Sequence, residues 1–220
     1  MKLVAKSLAV ITTLLLAVSA FGYFFWYKPK FNIHVKGNAF NYTATGKADK
    51  SETSVRLNQK VQQVKSYLHD HRFNTAYCFL VDMRIPSGKK RFFVYNLEQD
   101  TVELAGLVTH GSGTENNATG PVFSNTPNSN CTSLGRYRIG NSYSGKFGLA
   151  YKLYGLDKTN SKAFDRFVVL HAHACVPVDE IDPLPVCESW GCPTVAPAFL
   201  ARLKTYLDAS GKPILLWIYY

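Results

Sequence analysis

Three runs between residues 76 and 109 most restrict what this chain can become. AYCFLVDM, RFFVYNL and TVELAGLVT are rich in β-branched and aromatic residues, and short stretches containing IPSGKK and EQD separate them. Residues of this type favour a pleated, buried backbone, and connections that short demand antiparallel neighbours. GRYRIG, LAYKLYGL and FVVLHAH read as further strands, and KPILLWIYY closes the chain as a buried one.

Helices are fewer. Leu57, Val61, Val64 and Leu68 recur at helical spacing, and Asp49 with Glu52 three residues on resembles a capping box. A second helix is expected from Pro197, with Phe199, Leu200, Leu203 and Leu207 inward and Gly211 at its end. The expected class is α+β, mostly β.

The N-terminus is of another kind. Residues 7–27 carry no charge and match the roughly 20 residues that a helix needs to cross a bilayer. Val18, Ser19 and Ala20 form a plausible signal-peptidase site. The apolar run nevertheless continues through FGYFFWY to Lys28 and Lys30, which suits an uncleaved anchor. Both readings export the rest of the chain. The expected division is 1–30 signal peptide or anchor, 31–50 tether and 51–220 one globular domain, since about 190 residues suit a single core.

Formal net charge is +10, of which Lys2, Lys6, Lys28 and Lys30 supply four, leaving about +6 on the exported part. That balance fits an anionic surface or a carboxylate-rich substrate. No basic cluster interleaved with aromatics argues for nucleic acid. The five cysteines, at 78, 131, 175, 187 and 192, are an odd number for an oxidising compartment, so one is free or bridges to another molecule.

Two segments hold the candidate chemistry. FVVLHAHAC sets His171 and His173 two apart, on one face of a strand end. Cys192 follows His171 by 21 residues in CESWGCPTV. A Cys nucleophile needs an imidazole to take its proton and backbone N–H groups aimed at the oxyanion. Gly191 allows close approach of the main chain, and the Ser189 hydroxyl suits the holding of a turn. H-x-H-x-C crowds three ligands together, unlike the clearer spacings of zinc sites, so no metal is expected. The Gly-, Ser- and Asn-rich stretch 109–140 is either a plain connection or a substrate-facing loop.

A strand-end His followed by Ser-x-Gly-Cys resembles the catalytic signature of the L,D-transpeptidases of the YkuD superfamily. The extended similarity is to its murein L,D-transpeptidase catalytic-domain-like branch, carried by HGSG at 110, FSNTPNSNCTSLGRY at 123, GKFGLAYKLYGL at 145 and SWGCP at 189. The resemblance covers roughly residues 75–220. It implies a β-sandwich with peripheral helices, and a Cys192 thioester formed with His171 as general base, the Ala172 carbonyl orienting the imidazole. Gly191 and Cys192 N–H groups would form the oxyanion hole. His110 and Ser133 match segments lining the cleft, and His173 and Trp190 are further candidates for substrate contact. Trp190 stands where the better-known pattern has His, and Pro193 with Thr194 where it has Arg or Asn. The implied activity is peptidoglycan peptide crosslinking without metal or organic cofactor, by an exported monomer of the cell envelope, on the periplasmic side. L,D-carboxypeptidase action or another wall-peptide hydrolysis by the same residues is the alternative, with a non-catalytic anchored wall-binding protein outside the enzymes.

The loop between base and nucleophile holds Asp179, Glu180, Asp182 and Glu188, either a lid favouring an incoming ammonium or a solvated connection. Cys175 and Cys187 flank it and are expected to bridge. The preferred pairing joins Cys78 to Cys131, leaving Cys192 free.

Overall fold

The structure is a computed structural model that describes residues 6, 21, 47–113 and 120–220. The chain divides after Ala39, and every element below belongs to the second unit, Phe40–Tyr220. The expected anchor or signal segment and most of the tether lie outside the described residues. Among the described residues, no helix is long and apolar enough to cross a membrane.

Helix α1 spans Lys47–His69. Asp49 therefore lies inside its first turn and is not the cap that the Asp49–Glu52 spacing suggests. Strands β1 (Tyr77–Asp82), β2 (Phe92–Asn96) and β3 (Thr101–Gly106) form the expected meander. They are followed by β4 (Gly135–Gly145), β5 (Gly148–Gly155), β6 (Val169–Ala172), β7 (Thr194–Val195), α2 (Pro197–Ala209) and β8 (Leu215–Tyr219). Where a sandwich is expected, hydrogen bonding runs through all eight strands as one sheet, in the order β3-β2-β1-β8-β4-β5-β6-β7. Its two outer edges also meet, because Val108, just past β3, bridges Val195 of β7.

Alternation along the strands divides two cores. Phe79 and Val81 of β1 and Leu216 and Ile218 of β8 enter the larger one, which α2 joins with Phe199, Leu200 and Leu203. Cys78 and Leu80, and Leu215 and Tyr219, face the other way, onto Leu57, Val61, Val64 and Leu68 of α1. Strands covered on both faces need apolar residues at successive positions, which is why β1 and β8 read as continuous hydrophobic runs. Each such side chain is worth about 1.5–3 kcal/mol when buried. A buried ion pair also fixes α1, with Arg56 Nε 2.8 Å from the fully buried Asp82 carboxylate.

The cysteine pairing is met only in part. Cys175 and Cys187 form a disulfide, whereas Cys78, Cys131 and Cys192 are free thiols. Cys78 cannot reach Cys131 because it is packed beneath α1. Cys131 lies elsewhere, with its carbonyl close against Gly191.

Candidate active site

Parallel pairing of β6 with β7 sets His171 opposite Thr194, two residues beyond Cys192. β6 ends at Ala172, so His173 lies just outside the strand and is exposed, while His171 is buried. Phe147, in the tight turn between β4 and β5, stacks on the His171 ring with centroids 5.0 Å apart and meets His173 edge-on at 5.9 Å.

The imidazole is held at both nitrogens. Nδ1 lies 3.2 Å from the Ala172 carbonyl, so it carries the proton and donates it there. Nε2 is thereby left as an acceptor, and Thr194 Oγ1 stands 3.0 Å away to donate. Burial lowers the His171 pKa, which the Ala172 carbonyl partly offsets. The ring is neutral at pH 7 as a result.

Three backbone segments converge on the Cys192 turn. Residues 110–112 pair with Ser189: Ser189 N–H donates to His110 O and Ser112 N–H to Ser189 O, each at 2.9 Å. Gly111 N–H donates to Thr132 Oγ1 at 2.9 Å. The approach is so close that a Cβ on Gly111 would stand 2.1 Å from Asn130 O. Gly191 is under a double demand, since its φ of +105° belongs to the glycine region and a Cβ there would stand 2.6 Å from Cys131 O. HGSG, NCTS and SWGC thus form a single backbone stack.

Within that stack the Cys192 peptide is fixed by hydroxyls. Its carbonyl accepts from Ser189 Oγ at 2.7 Å and from Thr109 Oγ1 at 3.1 Å, and Thr194 Oγ1 stands 3.5 Å away. Ser189 Oγ in turn accepts the Gly191 N–H at 3.2 Å. The half-buried Cys192 sulfur receives Val169 N–H at 3.5 Å and lies 3.8 Å from Phe167 O. Burial raises the thiol pKa, while the Val169 N–H and the nearby Arg166 charge pull it back.

The remaining candidates are scattered around this centre. His110 lines a cavity of about 560 Å³ with Arg84, Ser112, Glu188 and Tyr220. Its Nδ1 accepts from the buried Arg91 at 3.1 Å, and burial with that neighbouring charge lowers its pKa to about 4. Ser133 is buried, its hydroxyl spent on Ser124 O and Arg166, so it faces no open cleft. Trp190 is 78% exposed beside the turn. His173 lines a second cavity of about 450 Å³ with Phe147, Pro197 and Lys204. Cys192 lines neither cavity.

Of the acidic loop residues, Glu180 accepts Lys90 N–H at 2.8 Å and Asp182 lies 3.9 Å from Lys89 Nζ. Both fasten the loop to the turn after β1, and Glu188 is the one that faces the cavity. Thr109, Arg166 and Phe147 also belong to the site without being sequence candidates, and Thr194 enters the sequence reading only as a departure from the better-known pattern. Of the first three, Phe147 carries a signal, lying within the GKFGL motif.

The arrangement holds the Cys192 thiol on a fixed turn and, opposite Thr194 two residues further on, an imidazole oriented at both nitrogens, the kinds of group that nucleophilic acyl chemistry uses. A family model described as the L,D-transpeptidase catalytic domain matches residues 48–218. Similar solved structures include Bd1075 of Bdellovibrio bacteriovorus, at 16% identity and a TM-score of 0.41, covering 66% of this chain and 48% of that one. An L,D-transpeptidase from Xylanimonas cellulosilytica is 16% identical with a TM-score of 0.37, covering 68% and 63%. One from Mycobacterium smegmatis is 13% identical with a TM-score of 0.39, covering 66% and 59%. This chain therefore spans about half to three-fifths of the length of those proteins. No curated protein matches it. With about four-fifths of its length matched by that family model, this chain belongs to the L,D-transpeptidase catalytic-domain family.

Proposed function

We propose that the chain is a cysteine-dependent L,D-transpeptidase that crosslinks peptidoglycan stem peptides, with Cys192 as nucleophile and His171 as general base. The observation that carries this reading is the fixing of the Cys192 peptide by Ser189 and Thr109, which restricts where its side chain can point. Thr194 Oγ1 has two acceptors in reach, His171 Nε2 and Cys192 O. Turning to the second frees Nε2 to take the thiol proton.

The Cys192 thiolate then attacks the carbonyl of the L-centre of diaminopimelate in a tetrapeptide stem. A C–S bond forms, the C–N bond to the terminal D-Ala breaks, and the imidazolium returns its proton to the leaving amine. Gly191 and Cys192 N–H groups receive the oxyanion, the former leaving its 3.2 Å contact with Ser189 Oγ. An amine of a second stem attacks the thioester, gives its proton to His171, and releases Cys192. Water in its place makes the same site a carboxypeptidase. His110 and His173 contact the stems along the two cavities, and Trp190 does so from its exposed place in the turn. Residues 1–30 export or anchor the chain, 31–50 tether it, and 51–220 act as a monomer in the periplasmic space.

Intact mass after incubation with a carbapenem, beside Cys192→Ala, tests the reading. One adduct that vanishes in the variant supports it. A folded wild-type protein that stays unmodified overturns it in favour of wall binding without catalysis.

A further inference from the structure

The catalytic scheme above leaves unused the charged side chain that packs against the Cys192 turn. Arg166 lies between β5 and β6, and each of its two terminal guanidinium nitrogens makes two hydrogen bonds. Nη1 donates to Ser124 O at 2.9 Å and to Ser133 Oγ, and Nη2 donates to Cys131 O at 2.7 Å and to Ser129 Oγ at 3.3 Å. All four acceptors are neutral, and among the described residues no carboxylate forms an ion pair with it. A guanidinium held in this way is rigid and keeps its whole positive field.

That field falls on the nucleophile. The Cys131 carbonyl that Nη2 holds is the one against which Gly191 closes, and a Cβ on Gly191 would stand 3.4 Å from Nη2 itself. The chain following Arg166 then wraps the sulfur. Phe167, 84% exposed with a φ of +57°, points its carbonyl at Cys192, and Val169 sends its N–H there. A non-glycine residue held in the left-handed region is a strained conformation that surrounding contacts must impose. The Arg166 anchor immediately before it is such a contact.

We propose that Arg166 is a positioning residue for this site: through Cys131 it fixes the Gly191–Cys192 turn, and its charge favours the Cys192 thiolate. The proposal rests on Cys192 being the nucleophile. Two further titratable side chains packed near the turn, Tyr137 and His171, bring it no charge. Tyr137 of β4 is kept protonated by burial and donates to Ser133 O at 2.6 Å, and His171 of β6 is neutral with Nε2 turned to Thr194. Arg166 is the permanent charge opposing the effect of burial on the thiol.

The test is the pH profile of Cys192 alkylation by iodoacetamide, followed by peptide mass in the full chain, for wild type, R166Q and R166K. Circular dichroism and Tm report folding. In R166Q the inflection moves up and the rate at neutral pH falls roughly tenfold, equivalent to a shift of about one pH unit. R166K recovers most of the alkylation rate, because the charge remains. Its carbapenem acylation stays low, because a lysine cannot reproduce the fork. A folded R166Q with the wild-type profile overturns the proposal, as does a folded R166K whose profile has moved up as far as that of R166Q. Should R166Q not fold, R166K decides: a near-wild-type inflection supports the proposal, and one well above the wild-type value overturns it. Alkylation requires no acyl transfer, so a wild-type protein that ignores carbapenem would sink the transpeptidase reading and leave this readout intact.

Discussion

Ser189 Oγ lies 2.7 Å from the carbonyl oxygen of Cys192, so the residue that opens the turn ties down the proposed nucleophile. Thr109 reaches the same oxygen from 83 residues away. Replacing Ser189 by Ala removes its bond to Cys192 O, the one to His110 O at 3.2 Å and the acceptor of the Gly191 N–H, and costs about 1–3 kcal/mol of stability. The acylation rate should fall by about tenfold or more, since a misaimed nucleophile loses the benefit of orientation. Chemical denaturation and time-resolved carbapenem mass shifts check the two effects separately. Unchanged acylation in a destabilised variant would mean that these bonds serve only the fold.

Gly191→Ala should be far more damaging. The new Cβ would meet Cys131 O at 2.6 Å in a backbone conformation with a φ of +105°. Strain of this kind costs on the order of 1–3 kcal/mol before the clash is counted. The turn will relax away from the Cys131 carbonyl and from Arg166. The expected outcome is a folded protein with no carbapenem adduct, seen by circular dichroism beside intact mass. Normal adduct formation would show that the turn geometry is not needed.

Stability should depend on pH through His110. Its folded pKa is depressed to about 4 by burial and by Arg91, against an unfolded value near 6.5. Between those values the unfolded chain binds a proton that the folded chain refuses. Stability is therefore full above about pH 6.5 and is lost as pH falls towards 4, by up to roughly 3 kcal/mol. Tm measured across this window should fall for the wild type and fall less for His110→Asn. Equal slopes would show that His110 is not the group responsible.

The free thiols should sort by burial. Native alkylation should mark Cys192 and spare Cys78, whose thiol burial pushes up to about 12, and Cys131, which is also buried. Unfolding without reduction should release three reactive thiols, with Cys175 still bridged to Cys187. Replacing both bridged cysteines by Ser should cost about 3 kcal/mol for a loop of this length. A native disulfide that includes Cys192 would overturn this assignment and the nucleophile with it.

The strands legible in the sequence are those with one physical reason for their composition. β1 and β8 are apolar because both faces are covered, and α1 shows its stripe because one face is. β7 gave no signal, since two residues carry no period and its place is set by pairing with His171. The site divides in the same way. Cys192, His171, Ser189 and Gly191 are readable because each contributes a particular functional group or backbone freedom at a characteristic spacing. Arg166, Thr109 and Thr194 act through backbone carbonyls or hydroxyls from distant segments, and nothing local marks such partners. Ser133 was chosen for its motif, yet its hydroxyl is used by Arg166. The Cys78–Cys131 pairing failed because counting cysteines does not reveal which core each one enters.

The bridge between Val108 and Val195 makes the active centre a clasp as well as a cleft. Thr109 stands next to it on one side, with Thr194 and Cys192 on the other, and Thr109 N–H donates to Thr194 O at 2.9 Å. The contacts that join the two ends of the sheet are thus those that hold the peptide of the proposed nucleophile. A brief parting there would silence the chemistry while both cores stayed packed, because local opening needs far less free energy than global unfolding. It would also bare two strand edges, which is the state most prone to pair with another chain. Activity and resistance to aggregation are fastened by the same few hydrogen bonds.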